Sequence, residues 1–330
     1  MVLILTNPEK LALQERFKIE IKEVRPICRS INETFKLDCT KETLALRRSS
    51  TNPFYGLEEA NFEYGVLKDL NKRGDIEVIT PFSGPKIIGD SLYFLTFWID
   101  GQTASLSNSS PKEIGRYLGK LHRSLSGIKR SPSKPFSAGY IDDIICGSCQ
   151  PYLDFKRYYP YAIDPSTKER LAYLEEIVEE LRGNANVWGK KLNQKQLVHG
   201  DPRCENFILS GDGLVALDFQ SMRQDYIVSD LGWCLTTDLC KPNGYEINLS
   251  MAEEFLIEYL DMNPLVDLFS FNEVTKLRHL RSLDTIYYFR LLGKKDKPEL
   301  FETEEKSIKT LQDLDIKSQE IKRLIKRINR

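Results

Sequence analysis

Leu197-Val198-His199-Gly200-Asp201-Pro202-Arg203-Cys204-Glu205-Asn206-Phe207-Ile208-Leu209 is the stretch on which the reading of this chain turns. A short apolar strand delivers His-x-Asp, and an Asn follows five positions after the Asp. Twelve positions beyond that Asn, Leu214-Val215-Ala216-Leu217-Asp218-Phe219-Gln220 presents a second Asp at the end of another apolar run. Gly211 and Gly213 lie between the two runs, so a hairpin is expected, with Asn206 and Asp218 at one edge. Phosphoryl transfer needs such groups. A carboxylate must orient a hydroxyl and accept its proton, and hard oxygen ligands must hold Mg²⁺ against the phosphates. Asp201 is the candidate for the first role, and Asn206 and Asp218 for the second. Taken singly, an Asp after Gly is ordinarily a turn residue and an Asn before an apolar run a cap. The combination is what carries the chemistry.

A third piece follows, Ser229-Asp230-Leu231-Gly232. Together with His199-Gly200-Asp201 through Asn206 and Leu217-Asp218-Phe219-Gln220, it resembles the aminoglycoside phosphotransferase and choline kinase superfamily. Members of that superfamily have Gly between the His and the Asp, where protein kinases usually have Arg. The resemblance runs from about Arg25 to Tyr288 and is concentrated between Leu197 and Gly232. It implies an α+β, protein-kinase-like fold of two lobes, ATP and Mg²⁺ as requirements, and a small-molecule hydroxyl as acceptor. By the same resemblance Asp230 braces the backbone of the catalytic loop, and His199 supports the loop from beneath.

Outward from this segment, the first hundred residues read as mixed α/β. Glu20 to Val24, Thr34 to Cys39, Thr43 to Arg47, Glu77 to Ile79, Lys86 to Ile88 and Leu92 to Trp98 read as strands. Leu57 to Lys72 reads as an amphipathic helix, with Phe62, Val66, Leu67 and Leu70 on its apolar stripe and Gly74 as its stop. The resemblance places Arg47 where relatives carry the basic residue that contacts the α- and β-phosphates. A guanidinium can hold phosphate by two parallel bonds. Glu63 is the expected partner carboxylate. Cys28 to Phe35 stands in place of a glycine-containing phosphate turn but has no Gly; Ser30 and Asn32 are the residues expected to turn backbone N–H groups to phosphate. Phe97 and Ile99 are expected to read the adenine edge with backbone groups, and Ile208 to lie beneath the ring. The boundary falls at the connector before Asp100-Gly101, giving a nucleotide lobe over residues 1–98 and a helical catalytic and acceptor lobe over 99–330.

Beyond the connector the periodicity is helical over Pro111 to Leu125, Pro165 to Arg182 and from Ser250 onward. Lys317 to Arg330 is basic, with Ile321, Leu324, Ile325 and Ile328 at helical spacing, and reads as a terminal helix packing its apolar side on the body. Cys146-Gly147-Ser148-Cys149 is a CxxC without a second ligand pair, so neither zinc nor redox chemistry is expected of it. Tyr152 to Tyr161 and Tyr287-Tyr288-Phe289-Arg290 are aromatic clusters read as core. Among the 330 residues, 47 Lys and Arg face 48 Asp and Glu, a balance that points away from nucleic acid. Met1 to Leu5 is too short for a signal-peptide core, and seven scattered cysteines suit a reducing cytoplasm. No apolar run is long enough to cross a membrane. Asp225 and Asp238 are candidates to face a cationic acceptor. A protein or peptide kinase is the rival enzyme reading. Against it, no Ala-Pro-Glu follows Asp218, and Ser229 comes only eleven positions later. A non-catalytic nucleotide-binding module is the other rival, favoured by the missing Gly and opposed by the intact Asp201, Asn206 and Asp218.

Overall fold

A computed structural model describes residues 4–29, 32–50, 55–105, 107, 109–130, 155–161, 164–192, 195–211, 213–237, 245–264, 266–291 and 298–328. Cys146 and Cys149 lie outside the described residues.

The chain enters through a helix, α1 (Asn7–Phe17), that alternation and amphipathicity do not announce. Its start is set locally. Thr6 and Glu9 form a reciprocal capping box, and Pro8 occupies the first turn. Five strands follow: β1 (Ile21–Arg29), β2 (Glu33–Cys39), β3 (Thr43–Ser50), β4 (Pro81–Ile88) and β5 (Ser91–Phe97). They form one antiparallel sheet in the order β1-β2-β3-β5-β4. Alternation along β3 puts Leu44 and Leu46 on the face that packs with Leu13 and Phe17 of α1, and Arg47 on the other. Helix α2 (Leu57–Arg73) crosses between β3 and β4 and ends at Gly74, whose φ is +66°. Glu77 to Ile79 does not become a strand as expected. It makes one parallel bridge, Val78 with Ala216, because this segment between α2 and β4 lies against the hairpin of Phe207–Ser210 and Gly213–Ala216 rather than beside a strand of the five-stranded sheet.

The remainder is mostly helical. α3 (Pro111–Ser126), α4 (Pro165–Gly183), α5 (Ala185–Trp188), α6 (Ile227–Thr237), α7 (Leu249–Met262), α8 (Phe271–Leu291), α9 (Pro298–Ile316) and α10 (Ser318–Ile328) surround three small strand pairings. A two-residue strand β6 (Gln102–Thr103) joins the hairpin of β8 (Phe207–Ser210) and β9 (Gly213–Ala216), and β7 (Lys195–Val198) pairs with β10 (Arg223–Tyr226). Ile321, Leu324 and Ile325 of α10 are buried against this body, as their spacing implied.

The apolar interior divides unevenly. One cluster joins the sheet to α1. The larger one takes Val66, Leu67 and Leu70 of α2 together with Ile114, Leu118 and Leu121 of α3 and most of the helical lobe. The connector between α2 and β4 is fastened to that lobe by Tyr117 of α3. Its hydroxyl donates to the Glu77 carbonyl (2.5 Å) and accepts from the Ala216 N–H (2.7 Å).

Candidate active site

The His199-Gly200-Asp201 turn leaves the end of β7 and is fixed from below. Asp230, buried in α6, accepts from the backbone N–H of His199 (2.8 Å) and of Gly200 (3.0 Å). His122 of α3 approaches the same carboxylate at 3.1 Å and meets the Tyr259 hydroxyl at 2.9 Å through its other nitrogen. Burial raises the pKa of Asp230, but the His122 contact and nearby positive charge outweigh it and hold the group low, so it stays ionised. Gly200 has φ of +86°, and a Cβ there would stand 2.0 Å from the Ser221 carbonyl oxygen. Only glycine fits that turn. The His199 side chain lies beneath the loop, its Nε2 at 2.8 Å from the Leu217 carbonyl and its Nδ1 accepting from the Asp201 N–H.

Asp201 then projects into the cleft with a donor on every side. Oδ1 accepts from Trp233 Nε1 (2.7 Å) and Arg203 Nε (3.0 Å). Oδ2 accepts from Asn206 Nδ2 and Arg203 Nη2, both at 3.1 Å. Burial opposes the charge, but Arg203, Arg278 and these bonds prevail, and the pKa of Asp201 is lowered. The carboxylate is therefore ionised at neutral pH.

The β8–β9 hairpin forms as expected and carries the other two residues to one edge. The Asn206 Nδ2 also donates to the Asp201 carbonyl at 2.8 Å, so its amide oxygen is the group left to hold a cation. Asp218 sits just past β9 with φ of +50°, a left-handed conformation that Asp tolerates better than most residues. Across the cleft, Arg47 Nη1 donates to Asp218 Oδ1 (3.1 Å) and Glu63 Oε1 (3.0 Å), and Nη2 to Glu63 Oε2 (2.5 Å). The Tyr55 hydroxyl donates to Glu63 and accepts from Arg47. Burial works against the Arg47 charge, but Glu63, Tyr55 and Asp218 overcome it and push its pKa up. Burial likewise raises the pKa of Asp218; Arg47 opposes that rise, and Glu63 and Asp201 add to it.

These residues suit a cation shared with phosphates. Arg47 Nε is buried without a hydrogen-bond partner, a spare donor on a guanidinium already aimed at Asp218. Among the described residues no three His, Cys, Asp or Glu side chains cluster to bind a metal unaided. A pair such as Asn206 and Asp218 is what Mg²⁺ requires when phosphates complete its shell.

Of the other expected residues, Asn32 is buried and its side chain is engaged. It donates to Gln220 Oε1 (2.8 Å) and accepts from Ser49 Oγ (2.7 Å), tying the β1–β2 turn to the segment after Asp218. Ser30 and Asp238 lie outside the described residues. Phe97 is exposed at the end of β5, its N–H committed to the Thr80 carbonyl, so that donor is not open to adenine. Ile99 packs against the main core, and Ile208 lies on β8 beside Gly101. The expectation for Asp225 fails. Its carboxylate is buried, bonded to Arg223 Nε at 2.8 Å and to the Tyr226 N–H, and cannot face an acceptor. Trp233, Tyr55, Arg203 and His122 are not among the residues expected from the sequence, and Gln220 enters that reading only as part of the motif around Asp218. Arg203 alone had a local signal, lying two positions after Asp201. A groove of about 790 Å³, lined by Asn71, Glu77, Trp98, Ile99, Tyr117 and Leu214, takes in Ile99 but none of Asp201, Asn206, Asp218 or Arg47.

Residues 23–265 match the family model described as Phosphotransferase enzyme family (APH). No curated protein sequence matches the chain significantly. Solved structures do. An amicoumacin kinase in complex with AMP-PNP, Ca²⁺ and Ami aligns with TM-score 0.66 and 16% identity, over 92% of this chain and 93% of its own. A microcompartment-associated aminopropanol kinase aligns with TM-score 0.69 and 14% identity, over 95% and 98%. An aminoglycoside phosphotransferase from Alicyclobacillus acidocaldarius subsp. acidocaldarius DSM 446 aligns with TM-score 0.65 and 14% identity, over 99% and 98%. At such identities the likeness is one of fold, and that fold is kinase-like, with a sheet lobe and a helical lobe.

Proposed function

The chain belongs to the phosphotransferase enzyme family, and from that premise we propose that it transfers the terminal phosphoryl group of ATP to a hydroxyl of a small molecule. The observation that carries the proposal is the convergence of Asp201, Asn206 and Asp218 with the Arg47–Glu63 pair that faces them. In this reading Asp201 is the base. Held ionised, it receives the acceptor hydroxyl, aims its oxygen at the phosphorus and takes its proton as the new bond forms. Arg203, which covers both oxygens of Asp201 from the exposed side, gives way to that hydroxyl. Arg47 holds the α- and β-phosphates, and Glu63 with Tyr55 keeps its fork aligned. Asn206 and Asp218 would hold Mg²⁺, and the bound ion would supply neutralisation of charge on the phosphates.

One structural feature supports a small acceptor over a peptide. After Asp218 the chain passes through a single turn into β10 and then the buried α6, with no extended segment on which a peptide could lie. The kinase relatives act on amicoumacin and aminopropanol, by their names, so amino alcohols and amino-bearing antibiotics lead the choice of acceptors. The test is ADP release from Mg·ATP against a panel of amino alcohols, sugars and antibiotics, with a peptide set beside it. Turnover on a small molecule that disappears in Asp201→Asn, with nucleotide still bound, is the expected result. Turnover on peptides alone would overturn the acceptor class, and nucleotide binding without any transfer would favour a non-catalytic module.

A further inference from the structure

Four donors surround the carboxylate of Asp201, and they differ in kind. Arg203 is on the exposed side, its side chain 37% accessible, and it touches both oxygens. Trp233 and Asn206 are 7% and 8% exposed and reach the group from within the protein, Trp233 on Oδ1 and Asn206 on Oδ2. An acceptor hydroxyl enters from the accessible side and displaces the guanidinium. The carboxylate is then held by one buried N–H on each oxygen. Asn206 has a second duty on this reading, its amide oxygen being offered to the cation while Nδ2 stays on Oδ2. Trp233 has no such second duty.

The surroundings of Trp233 hold its indole in one orientation. The residue is on α6, three positions past Asp230, so one helix turn carries both the brace of the loop and the donor to its carboxylate. The Arg278 guanidinium lies 4.3 Å over the indole ring and donates to the Gly200 carbonyl at 2.8 Å. His279 packs on the ring with centroids 5.1 Å apart. A cation over the indole face draws electron density from the ring and strengthens its N–H as a donor.

We infer that Trp233 is a positioning residue for the transfer reaction: its indole N–H fixes the rotamer of Asp201, so that the carboxylate face that Arg203 covers is the one presented to the acceptor hydroxyl. The inference rests on the assignment of Asp201 as the base. Its loss acts on the chemical step and leaves nucleotide binding alone, because the indole touches neither the Arg47 clamp nor Asp218.

The test uses Mg·ATP with water as the acceptor, and Mg·ADP as the binding probe. Trp233→Phe keeps an aromatic ring under Arg278 and removes the N–H. Hydrolysis is expected to fall about ten- to a hundredfold, the loss of one hydrogen bond to a charged group, with Mg·ADP affinity unchanged. A packing role alone would weaken both together. A second measurement does not depend on that variant folding. The chain has three Trp residues, and ¹⁵N-labelled protein reports each indole N–H. In Asp201→Asn one indole proton moves upfield, while those of Trp98 and Trp188, bonded to Asp100 and to the Leu181 carbonyl, stay in place. The inference is overturned if no indole resonance moves, or if Trp233→Phe hydrolyses ATP at the wild-type rate while Asp201→Asn does not. If Asp201→Asn is itself fully active, it is the assignment of the base that fails.

Discussion

His279 is buried in α8 behind Trp233, and it places a measurable pH dependence on stability. Its Nε2 meets the Thr236 hydroxyl at 2.8 Å, while its Nδ1 is buried without a partner. Burial, together with the positive charges of Arg278 and Lys306, lowers its pKa from 6.5 to about 3. In the unfolded chain the ring takes up a proton as pH falls through about 6.5, whereas the folded ring stays neutral until about 3. Between those values the unfolded state binds more protons, so stability falls as pH falls. Each pH unit below 6.5 costs about 1.4 kcal/mol, and the step from pH 7 to pH 5 costs about 2 kcal/mol. His279→Gln keeps an amide donor for Thr236 and removes the titration. The variant is expected to be the less stable at pH 7, through altered packing, and to close on the wild type by about 2 kcal/mol at pH 5. Urea unfolding of both proteins at pH 5, 6 and 7 measures the gap, and contributions from the carboxylates cancel in the difference. A gap that stays constant across that range would refute the buried, neutral imidazole.

Arg47→Ala should weaken phosphoryl transfer by about 2–4 kcal/mol, as loss of one electrostatic stabiliser does, with Arg47→Lys recovering part and Glu63→Gln giving a milder defect; steady-state kinetics at varied ATP decide it. Arg48 points to the other face, where Glu9 and Glu33 pair with it, so Arg48→Ala should lower thermal stability by about 2 kcal/mol and leave the rate intact. A silent Arg47→Ala with an inactive Arg48→Ala would reverse the assigned faces of β3. Asp218→Ala should abolish the dependence of nucleotide affinity on Mg²⁺, read by titrating the metal at fixed nucleotide; an unchanged titration removes Asp218 as a ligand. Gly200→Ala forces a methyl onto the Ser221 carbonyl and should destabilise by more than about 2 kcal/mol, visible as a lowered melting temperature.

What could be seen in advance was what chemistry demands locally. Asp201, Asn206 and Asp218 lie within eighteen positions, and a hairpin between apolar runs brings them together without help from distant contacts. Arg47 and Glu63 are expected from the family resemblance rather than from local chemistry, and the structure joins them. Residues whose meaning depends on a distant partner were not readable. Asp225 looks like a surface acid until Arg223 is seen folded back onto it in the interior. Trp233 reads as one more core aromatic, because its indole finds Asp201 only when α6 is docked beside β7. Strand β4 was half hidden by Pro81, Gly84 and Pro85, which interrupt its alternation, and its register with β5 shifts twice there. Helix α1 lacks a broad apolar stripe, since Leu11 is exposed while Leu13 is buried, and it is absent from the elements read from the sequence.

Helix α2 has its inner face in the core of the helical lobe and its connector fastened there by Tyr117, while β3 belongs to the separate core that the sheet shares with α1. The pair formed by Arg47 and Glu63 therefore spans two apolar clusters, while Ala60 of α2 also packs with Leu92 of β5. One guanidinium thus serves as a keystone between three supports: the sheet that carries Arg47, the helix that carries Glu63 and the hairpin edge that ends in Asp218. Its bond to Asp218 is a direct tie between the sheet and the end of β9, so the distance across that tie is a ruler for how the two are set against each other.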